Sequence, residues 1–304
     1  MTTLMSDAQL LCLAKQMDAE KEFQNYVDQK TFTPAHALLR TAINKSRCDI
    51  AQLAIDAGAH VDSFSNGFIF VPLHHAVRTK SVSMCECLIA AGADTEAFDF
   101  NGHTPLLVAA ASFNYDMVAG LLAARANIHC ESQLHWNVLS LFLHHRKPRQ
   151  DTKLDRENAK KIFALLLSAG ANVHHVDQNC RQTPLHIAIS TECAMEAQML
   201  IDAGADITAR SKYGSTPISL ARRSSTQVAL VVHNAQKQLA MRNLVDLAIL
   251  LRPLDLPVLV VCEINARLLQ RRKQDDRYFE LTPIPDAVMW SVLAKIKHVK
   301  KVFQ

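Results

Sequence analysis

The sequence predicts an all-α-dominated fold, in which helical pairs stack into a solenoid with β-hairpin fingers and a three-helix segment follows at the C-terminus. Two observations predict the solenoid. Four of the eight glycines lie in the same tripeptide, Ala-Gly-Ala, which recurs at intervals close to 33 residues. A second landmark, of the type Thr-Pro-Leu, recurs 21 residues before these tripeptides. Such a fixed period is typical of repeat architectures, whose units bury their apolar faces only against their neighbours.

The Ala-Gly-Ala landmarks mark the end of each unit. The step from Gly58 to Gly92 is 34 residues, and a further 33 residues lead to Arg125 in Ala-Arg-Ala. The next steps, to Gly170 and Gly204, are 45 and 34 residues, so the longer one is a step of 33 with a 12-residue insertion. We expect each glycine to end a second helix, because glycine best adopts the left-handed conformation of a helix C-cap.

The Thr-Pro-Leu landmarks mark the start of the first helix of each unit. Thr183 is a suitable N-cap, and Pro184 has its φ angle preset for the first helical position. The openings are Val71-Pro72-Leu73-His74, Thr104-Pro105-Leu106-Leu107, Asn137-Val138-Leu139, Thr183-Pro184-Leu185-His186 and Thr216-Pro217-Ile218.

This pattern resembles the ankyrin repeat family, whose unit is Thr-Pro-Leu-His-x-Ala, a second helix and an Ala-Gly-Ala ending. The resemblance covers residues about 36–240, within a predicted repeat domain at 31–240 of about six units, the first and last degenerate. It implies that the histidines of the opening motif form structural hydrogen bonds to neighbouring backbone. The structural repeat positions are His74, Gly92, Thr104, Thr183, His186 and Gly204.

The N-terminal residues 1–30 are predicted to form a capping helix, which Ser6-Asp7-Ala8-Gln9 opens as a capping box. The start of the first unit has two interpretations. Thr33-Pro34-Ala35-His36 resembles an opening motif, but the count back from Gly58 places the opening at Ala37. Either the first helix has an extra turn or the resemblance is chance, and we follow the count.

Composition excludes several classes of protein. No two glycines lie close enough together to cradle a nucleotide phosphate. Met1–Lys15 lacks the pattern of a signal peptide, and no run of about 18 apolar residues is long enough to cross a bilayer. The eight cysteines are scattered without a Cys-x-x-Cys pair, which favours a reducing compartment and a cytoplasmic location.

Candidate catalytic and metal-binding groups are few, although the chain has fourteen histidines. Adjacent pairs such as His144-His145 project in different directions and chelate poorly, and Cys85 and Cys87 diverge on one helix. No His-Glu-x-x-His or Gly-x-Ser-x-Gly motif is present. We therefore predict a non-enzymatic chain with no cofactor and no metal.

The hairpin tips are the predicted partner-binding surface, because they differ from unit to unit and carry aromatic and arginine residues, the usual hot spots of interfaces. Trp136 and Tyr213 are the strongest single candidates, and the alternative is that several aromatics pack one hairpin against the next. The predicted partner-binding residues are Phe68, Phe100, His103, His135, Trp136, Asn179, Arg181, Arg210, Lys212 and Tyr213.

The insertion in the fourth unit falls between its helices, around residues 145–151. It is charged and contains Pro148, so we expect an exposed loop. This loop is either a second contact point or has no function of its own.

The C-terminal residues 241–304 are predicted to form a helical box of three helices: Asn243–Leu251, Leu256–Leu269 and Pro285–Phe303. Residues 242–304 contain eleven Lys and Arg against seven Asp and Glu, which accounts for the whole net charge of +4. The rest of the chain is neutral, which argues against nucleic acid as the partner. The box either caps the last repeat or, because Leu254–Leu259 loosely resembles F-box and SOCS-box segments, recruits a ubiquitin-ligase scaffold.

Three functions follow as hypotheses. The first is a monomeric, non-catalytic module that binds a folded protein partner through the concave face of hairpins and first helices. The second is a substrate-recruiting adaptor of a ubiquitin ligase, through the C-terminal box. The third is a bacterial effector delivered into the cytoplasm of a host cell, since such effectors often use this fold.

Overall fold

A computed structural model describes residues 5–28, 33–62, 71–146 and 153–251, which form fourteen helices and no strand. The helices are α1 (Asp7–Gln16), α2 (Glu20–Asp28), α3 (Pro34–Asn44), α4 (Cys48–Asp56), α5 (Pro72–Arg78), α6 (Val82–Ala90), α7 (Pro105–Ala111), α8 (Tyr115–Ala123), α9 (Val138–His145), α10 (Lys153–Ser168), α11 (Pro184–Ser190), α12 (Ala194–Asp202), α13 (Pro217–Ala221) and α14 (Thr226–Leu251).

Six consecutive helical pairs, α3–α4 to α13–α14, form the predicted units. Each regular unit has a first helix of seven residues and a second helix of nine, joined by a three-residue turn. The first helices open at the predicted landmarks, and the Thr104 hydroxyl accepts a hydrogen bond from the Leu107 N–H at 3.4 Å. Asn137 takes the same role in its unit, where its side chain accepts from the Ser140 N–H at 2.9 Å.

The units stack in two layers. Each first helix contacts the first helix of the next unit, and each second helix contacts the next second helix. Leucines at equivalent positions of the first helices, Leu73, Leu106, Leu139 and Leu185, are fully buried between the layers. One continuous apolar core therefore runs along the stack, and the predicted helical solenoid is confirmed.

The second helices end as predicted at residues with positive φ. Gly92 and Gly204 both have φ of 91°, in the left-handed region. Arg125, at the equivalent position of the third unit, has φ of 64° although it carries a side chain. Its side chain is exposed, so no burial offsets the cost of this backbone conformation.

The opening histidines join consecutive units. The Nε2–H of His74 donates to the carbonyl of His103 at 2.7 Å, and that of His186 donates to Ser215 at 3.1 Å. Nδ1 of His186 accepts from the Thr183 backbone N–H at 3.2 Å and lies 2.8 Å from the Thr183 hydroxyl, which fixes the neutral tautomer. Nδ1 of His74 has no partner, because its unit opens with Val71 instead of threonine.

The N-terminal segment contains two helices where one was predicted. Ser6 and Gln9 form the predicted capping box at the start of α1, and both α1 and α2 contact α3. Helix α3 begins at Pro34, one turn before the expected Ala37, and is four residues longer than the other first helices. His36 pairs with the Thr33 hydroxyl, so the early Thr-Pro-Ala-His motif is a real opening with an extra turn.

The structure describes the two sides of the insertion in the fourth unit, whereas residues 147–152 of the expected loop lie outside the described residues. Helix α10 has sixteen residues instead of nine, so seven of the inserted residues extend its N-terminus. Arg146, expected in an exposed loop, is buried, and its Nε lies 3.0 Å from the Glu196 carboxylate of the next unit. The guanidinium also lies over the Phe113 ring of the preceding unit, 5.7 Å from its centroid.

The last described helix, α14, crosses the predicted domain boundary. It runs without a break from Thr226 to Leu251, so the first predicted tail helix is its C-terminal part and does not start at Asn243. The division into a repeat domain and a C-terminal box stays a prediction. The tail helices at 256–269 and 285–303 lie outside the described residues.

Replacing Arg125 with glycine should stabilise the protein. Glycine adopts φ of 64° without the steric cost of a Cβ atom, so we expect the free energy of unfolding to rise by about 1 kcal/mol. Urea denaturation measures the change. Arg125→Ala is the matched control, because it removes the same charge and keeps the Cβ atom. An equal effect of both variants would contradict a backbone origin.

Acidification should destabilise the repeats through their buried histidines. Burial lowers the pKa of His74 and His186, and it lowers the pKa of His75 to about 4. Below the ordinary value of 6.5 the unfolded chain therefore binds more protons than the folded chain, and stability falls as the pH drops from 6.5 towards 4. The expected slope approaches about 1 kcal/mol per pH unit for each such histidine.

Urea midpoints measured above and below pH 6.5 check this dependence. His75→Gln should weaken it, because glutamine keeps a polar group near Asn44 and does not titrate. His129→Gln, at an exposed position, should leave it unchanged. A stability that is constant across this range would contradict the burial of neutral histidines.

Breaking the buried ion pair should be costly. Glu196→Ala removes the Glu196 carboxylate from a guanidinium that is only 4% exposed, and we expect a loss of about 3–5 kcal/mol. The double variant Arg146→Met, Glu196→Leu removes both charges and should recover a large part of this loss. Thermal unfolding of the three proteins checks the order. A double variant as unstable as the single one would contradict it.

Candidate partner-binding face

Four fingers project from the described units, each between the end of one second helix and the start of the next first helix. We name them finger I (93–103), finger II (126–136), finger III (171–182) and finger IV (205–215). The earliest hairpin, with the predicted contact Phe68, lies outside the described residues.

Each finger closes around one buried polar residue at the same repeat position: Asp99, Ser132, Asp177 and Ser211. The Asp99 N–H donates to the His103 carbonyl at 2.9 Å, and its carboxylate accepts from the N–H groups of Asn101 and His103 at 2.9 Å. The turn is too short for a β-ladder, so the fingers are hairpin-like without strands in the described residues.

The other fingers have the same geometry, whether the buried polar residue is serine or aspartate. The Ser211 N–H donates to the Ser215 carbonyl at 2.9 Å. In finger III the same pairing joins Asp177 to Gln182 at 3.0 Å and encloses one more residue. The Asp177 carboxylate accepts from the N–H groups of Cys180 and Gln182, both at 2.7 Å. The four tips are therefore preorganised by their own backbone hydrogen bonds.

One tip position of every finger has left-handed backbone. Fingers I and IV place Gly102 and Gly214 there, with φ of 67° and 73°. Fingers II and III place His135 and Arg181 there, with φ of 55° and 52°. Two predicted partner-binding side chains thus occupy positions where glycine is cheaper by about 1 kcal/mol. Such strain is typical of positions kept for function.

Neighbouring fingers are tied to each other. The His175 Nε2–H donates to the His135 carbonyl at 2.7 Å, which joins finger III to finger II. The Lys212 N–H donates to the Cys180 carbonyl at 2.8 Å, which joins finger IV to finger III. The Asn127 N–H donates to the Glu96 carboxylate at 2.8 Å, between fingers II and I. The tips therefore form one continuous edge of the solenoid.

The predicted contacts divide by exposure. Phe100 is 64% exposed and Tyr213 74% exposed. The polar side chains of Asn179, Arg181, Arg210 and Lys212 are also exposed. His103, His135 and Trp136 are half-buried.

Trp136, one of the two strongest sequence candidates, is half-buried. Its ring lies 4.4 Å from that of His144, measured between centroids, and it packs against the apolar core. Phe98, next to the buried Asp99 in finger I, is 56% exposed. The exposed finger aromatics are therefore Phe98, Phe100 and Tyr213.

Arg78, the last residue of helix α5, contacts two residues at the tip of finger I. Its guanidinium lies 2.6 Å from the buried Asp99 carboxylate and 5.2 Å from the centroid of the Phe100 ring. Finger II has a weaker counterpart, in which Glu131 lies 3.2 Å from Nδ1 of His135 and 3.5 Å from Nδ1 of His175.

Sequence reasoning missed two groups of finger residues. The organising residues Asp99, Ser132, Asp177 and Ser211 recur at 33, 45 and 34 residues, in phase with the glycines, and that spacing is the signal that identifies them. Leu134 and Val176 are exposed apolar residues at the tips of fingers II and III. Val176 occupies the repeat position of Phe98, and Leu134 occupies that of Asn101. Neither is aromatic, so the search for aromatic hot spots did not select them.

No three His, Cys, Asp or Glu side chains converge as a metal site in the part of the chain that the structure describes. The thiols of Cys85 and Cys130 have pKa values raised by burial, that of Cys85 to about 12, so both are protonated near neutral pH. These two cysteines pack in the core.

None of the fourteen described helices combines the length and apolar character needed to cross a membrane.

Comparisons with known proteins agree on the repeat. The family described as Ankyrin repeats (3 copies) matches residues 38–132, and Ankyrin repeats (many copies) matches residues 166–221. The chain is 28% identical over 191 residues to a putative palmitoyltransferase ZDHHC13 of Danio rerio, covering 61% of this chain and 27% of that protein.

Two further relatives match over a similar length. The nuclear factor NF-kappa-B p105 subunit of Gallus gallus is 27% identical over 192 residues, which are 58% of this chain and 17% of that protein. The putative ankyrin repeat protein FPV034 of fowlpox virus is 29% identical over 182 residues, which are 59% of this chain and 39% of that protein. The chain thus spans well under half the length of these relatives.

A solved structure shares the fold. The crystal structure of the human ASB11 ankyrin repeat domain superposes with a TM-score of 0.52 and 21% identity, covering 65% of this chain and 82% of that chain. Together with the family matches and the stacked helical pairs, this shows that residues 38–132 and 166–221 are ankyrin repeats and that the solenoid of this chain is an ankyrin-repeat array.

Proposed function

We propose that the chain is a non-catalytic interaction module that binds a folded protein partner through the finger tips and the adjoining first helices. Ankyrin repeats generally mediate protein–protein interaction. The observation that carries the proposal is the exposure of Phe98, Phe100 and Tyr213, at 56%, 64% and 74%, on tips that are held by their own hydrogen bonds. Exposed aromatic side chains on a rigid support are typical of binding hot spots.

The preorganised tips favour binding over catalysis. A partner that docks on them orders few new groups, so little of the interaction energy is lost to entropy. An interface of ordinary size buries about 800 Å² on each partner, an area that several adjacent fingers together present. The matches to palmitoyltransferases do not favour an enzymatic role for this chain, because they cover only 27–31% of the length of those relatives.

The adaptor and effector hypotheses remain alternatives. The adaptor role rests on Leu254–Leu259, which lies outside the described residues. A truncation designed to test it belongs after Leu251, because a cut near residue 241 would divide helix α14. Loss of ligase scaffold components from the truncated chain would favour the adaptor. A cytoplasmic location and a monomeric state belong to the same proposal.

The double variant Phe100→Ala, Tyr213→Ala should weaken partner binding. Removing two exposed hot-spot aromatics costs about 2 kcal/mol or more in a typical interface, roughly a thirtyfold loss of affinity. Affinity purification with quantitative mass spectrometry measures the retained proteins. Stability should change little, since neither side chain is buried.

The matched control is Tyr115→Ala, Leu230→Ala, which removes two exposed apolar side chains from helices α8 and α14 and not from the fingers. It should retain the partners of the wild type. If both double variants keep the same proteins, the assignment of binding to the finger tips is wrong.

A further inference from the structure

The charged side chains are distributed unequally along the finger edge. Fingers I and II contain no lysine or arginine and carry the acidic residues Asp94, Glu96 and Glu131 at their surface. Fingers III and IV carry the exposed cations Arg181, Arg210 and Lys212. The edge is therefore acidic towards the N-terminal units and basic towards the C-terminal units.

Arg181 and Lys212 lie on neighbouring tips whose backbones are hydrogen-bonded to each other. The Lys212 N–H donates to the carbonyl of Cys180, the residue directly before Arg181, at 2.8 Å. This bond joins the backbones of the two neighbouring tips next to both cationic residues. In the described part of the chain, no carboxylate forms an ion pair with Arg181 or Lys212.

The carboxylates nearest to Arg181 and Lys212 in the sequence accept hydrogen bonds within their own fingers. The Asp177 carboxylate is buried and accepts two backbone N–H groups of its own finger. The Asp206 carboxylate accepts from the backbone N–H and the hydroxyl of Thr208, both at 2.7 Å. Neither carboxylate forms an ion pair with Arg181 or Lys212 in the described residues.

Arg181 is the cation placed at the highest cost. It occupies the left-handed tip position, with φ of 52°, where the neighbouring finger IV has Gly214. The side chain adds no burial in return, because it is exposed. Arg125 and Lys80 combine the same strain and exposure, so what distinguishes Arg181 is its place on a tip whose backbone is bonded to the tip that carries Lys212.

Resting on the function proposed above, we propose that fingers III and IV bind an acidic segment of the protein partner, with Arg181 and Lys212 contacting its carboxylates and Tyr213 contacting an adjacent apolar residue. Arg210 adds positive charge to the same edge. The acidic fingers I and II then orient the partner, because its negative segment is repelled from that end.

The same gradient favours a protein segment over nucleic acid. A polyanion that followed the fingers would bring its phosphates against Asp94, Glu96 and Glu131. A short acidic peptide stretch needs only the two basic tips. Duplex RNA therefore serves as the competing ligand in the test.

The test is a selection of displayed random peptides on the wild-type protein, followed by fluorescence anisotropy with the enriched peptides. We expect Asp and Glu to be enriched next to an apolar residue, and we expect affinity to fall as salt is raised. The double variant Arg181→Gly, Lys212→Gln should lower the affinity for the enriched peptides about five- to tenfold, the effect expected for the loss of two exposed charge pairs.

Stability separates binding from folding in this experiment. Arg181→Gly should raise the thermal midpoint, because glycine relieves the left-handed backbone, so weaker peptide binding cannot come from unfolding. Lys80→Gly is the matched control. It removes one exposed cation from a left-handed position, with φ of 58°, in the turn between α5 and α6, and should leave the affinity within about twofold.

Several outcomes would overturn the inference. These are enrichment of neutral or basic peptides by the wild type, equal affinities of the Arg181→Gly, Lys212→Gln and Lys80→Gly proteins, and duplex RNA binding that depends on Arg181 and Lys212. Protein partners that depend on Phe100 and Tyr213 but not on Arg181 and Lys212 would leave the proposed function intact and refute only its acidic specificity. Partners that ignore all four residues would refute the proposed function itself.

Discussion

The fold depends on one constraint: a pair of short helices is too thin to bury its apolar surface without a neighbour. Helices of seven and nine residues expose their inner faces on both sides, and Leu73, Leu106, Leu139 and Leu185 become fully buried only because another unit stacks on each side. Two opening histidines add directional bonds between units, from His74 to His103 and from His186 to Ser215. Stacking fixes the spacing of the units, and that spacing places the fingers in a row.

Backbone strain is distributed over this array in a systematic way. In the first five units, the left-handed positions at the ends of the second helices hold glycine except in the third, which has Arg125. The equivalent tip positions hold glycine in the outer two described fingers and His135 and Arg181 in the inner two. The same left-handed position therefore recurs from unit to unit. Where it holds a residue other than glycine, the side chain is not required by the stacking of the helices. The finger residues are consistent with this division between structure and recognition.

Much of the architecture could be predicted because the determining signals are local. Pro184 at the first helical turn and Gly204 at the C-cap act within a few residues, so their period identified the units and their boundaries. The fate of Arg146 could not be predicted in this way, because its partner, Glu196, lies fifty residues away in another unit. Trp136 was ambiguous for the same reason: only the approach of His144 decides that its ring packs inward. Phe100 and Tyr213, selected from the sequence, are both exposed. The partner that they bind cannot be predicted in the same way, because it is set by the surface of another molecule.

Arg146 connects three consecutive repeats, since its guanidinium lies over Phe113 of the preceding unit and against Glu196 of the following one. In an array with contacts only between adjacent repeats, the two ends can melt independently, and cooperativity decays with distance. Fraying of the fifth repeat would separate the Arg146–Glu196 ion pair, so this interface carries a charged contact in addition to its apolar packing. One side chain therefore contributes to the interfaces on both sides of the fourth repeat, which favours joint melting of these three repeats over separation at the insertion.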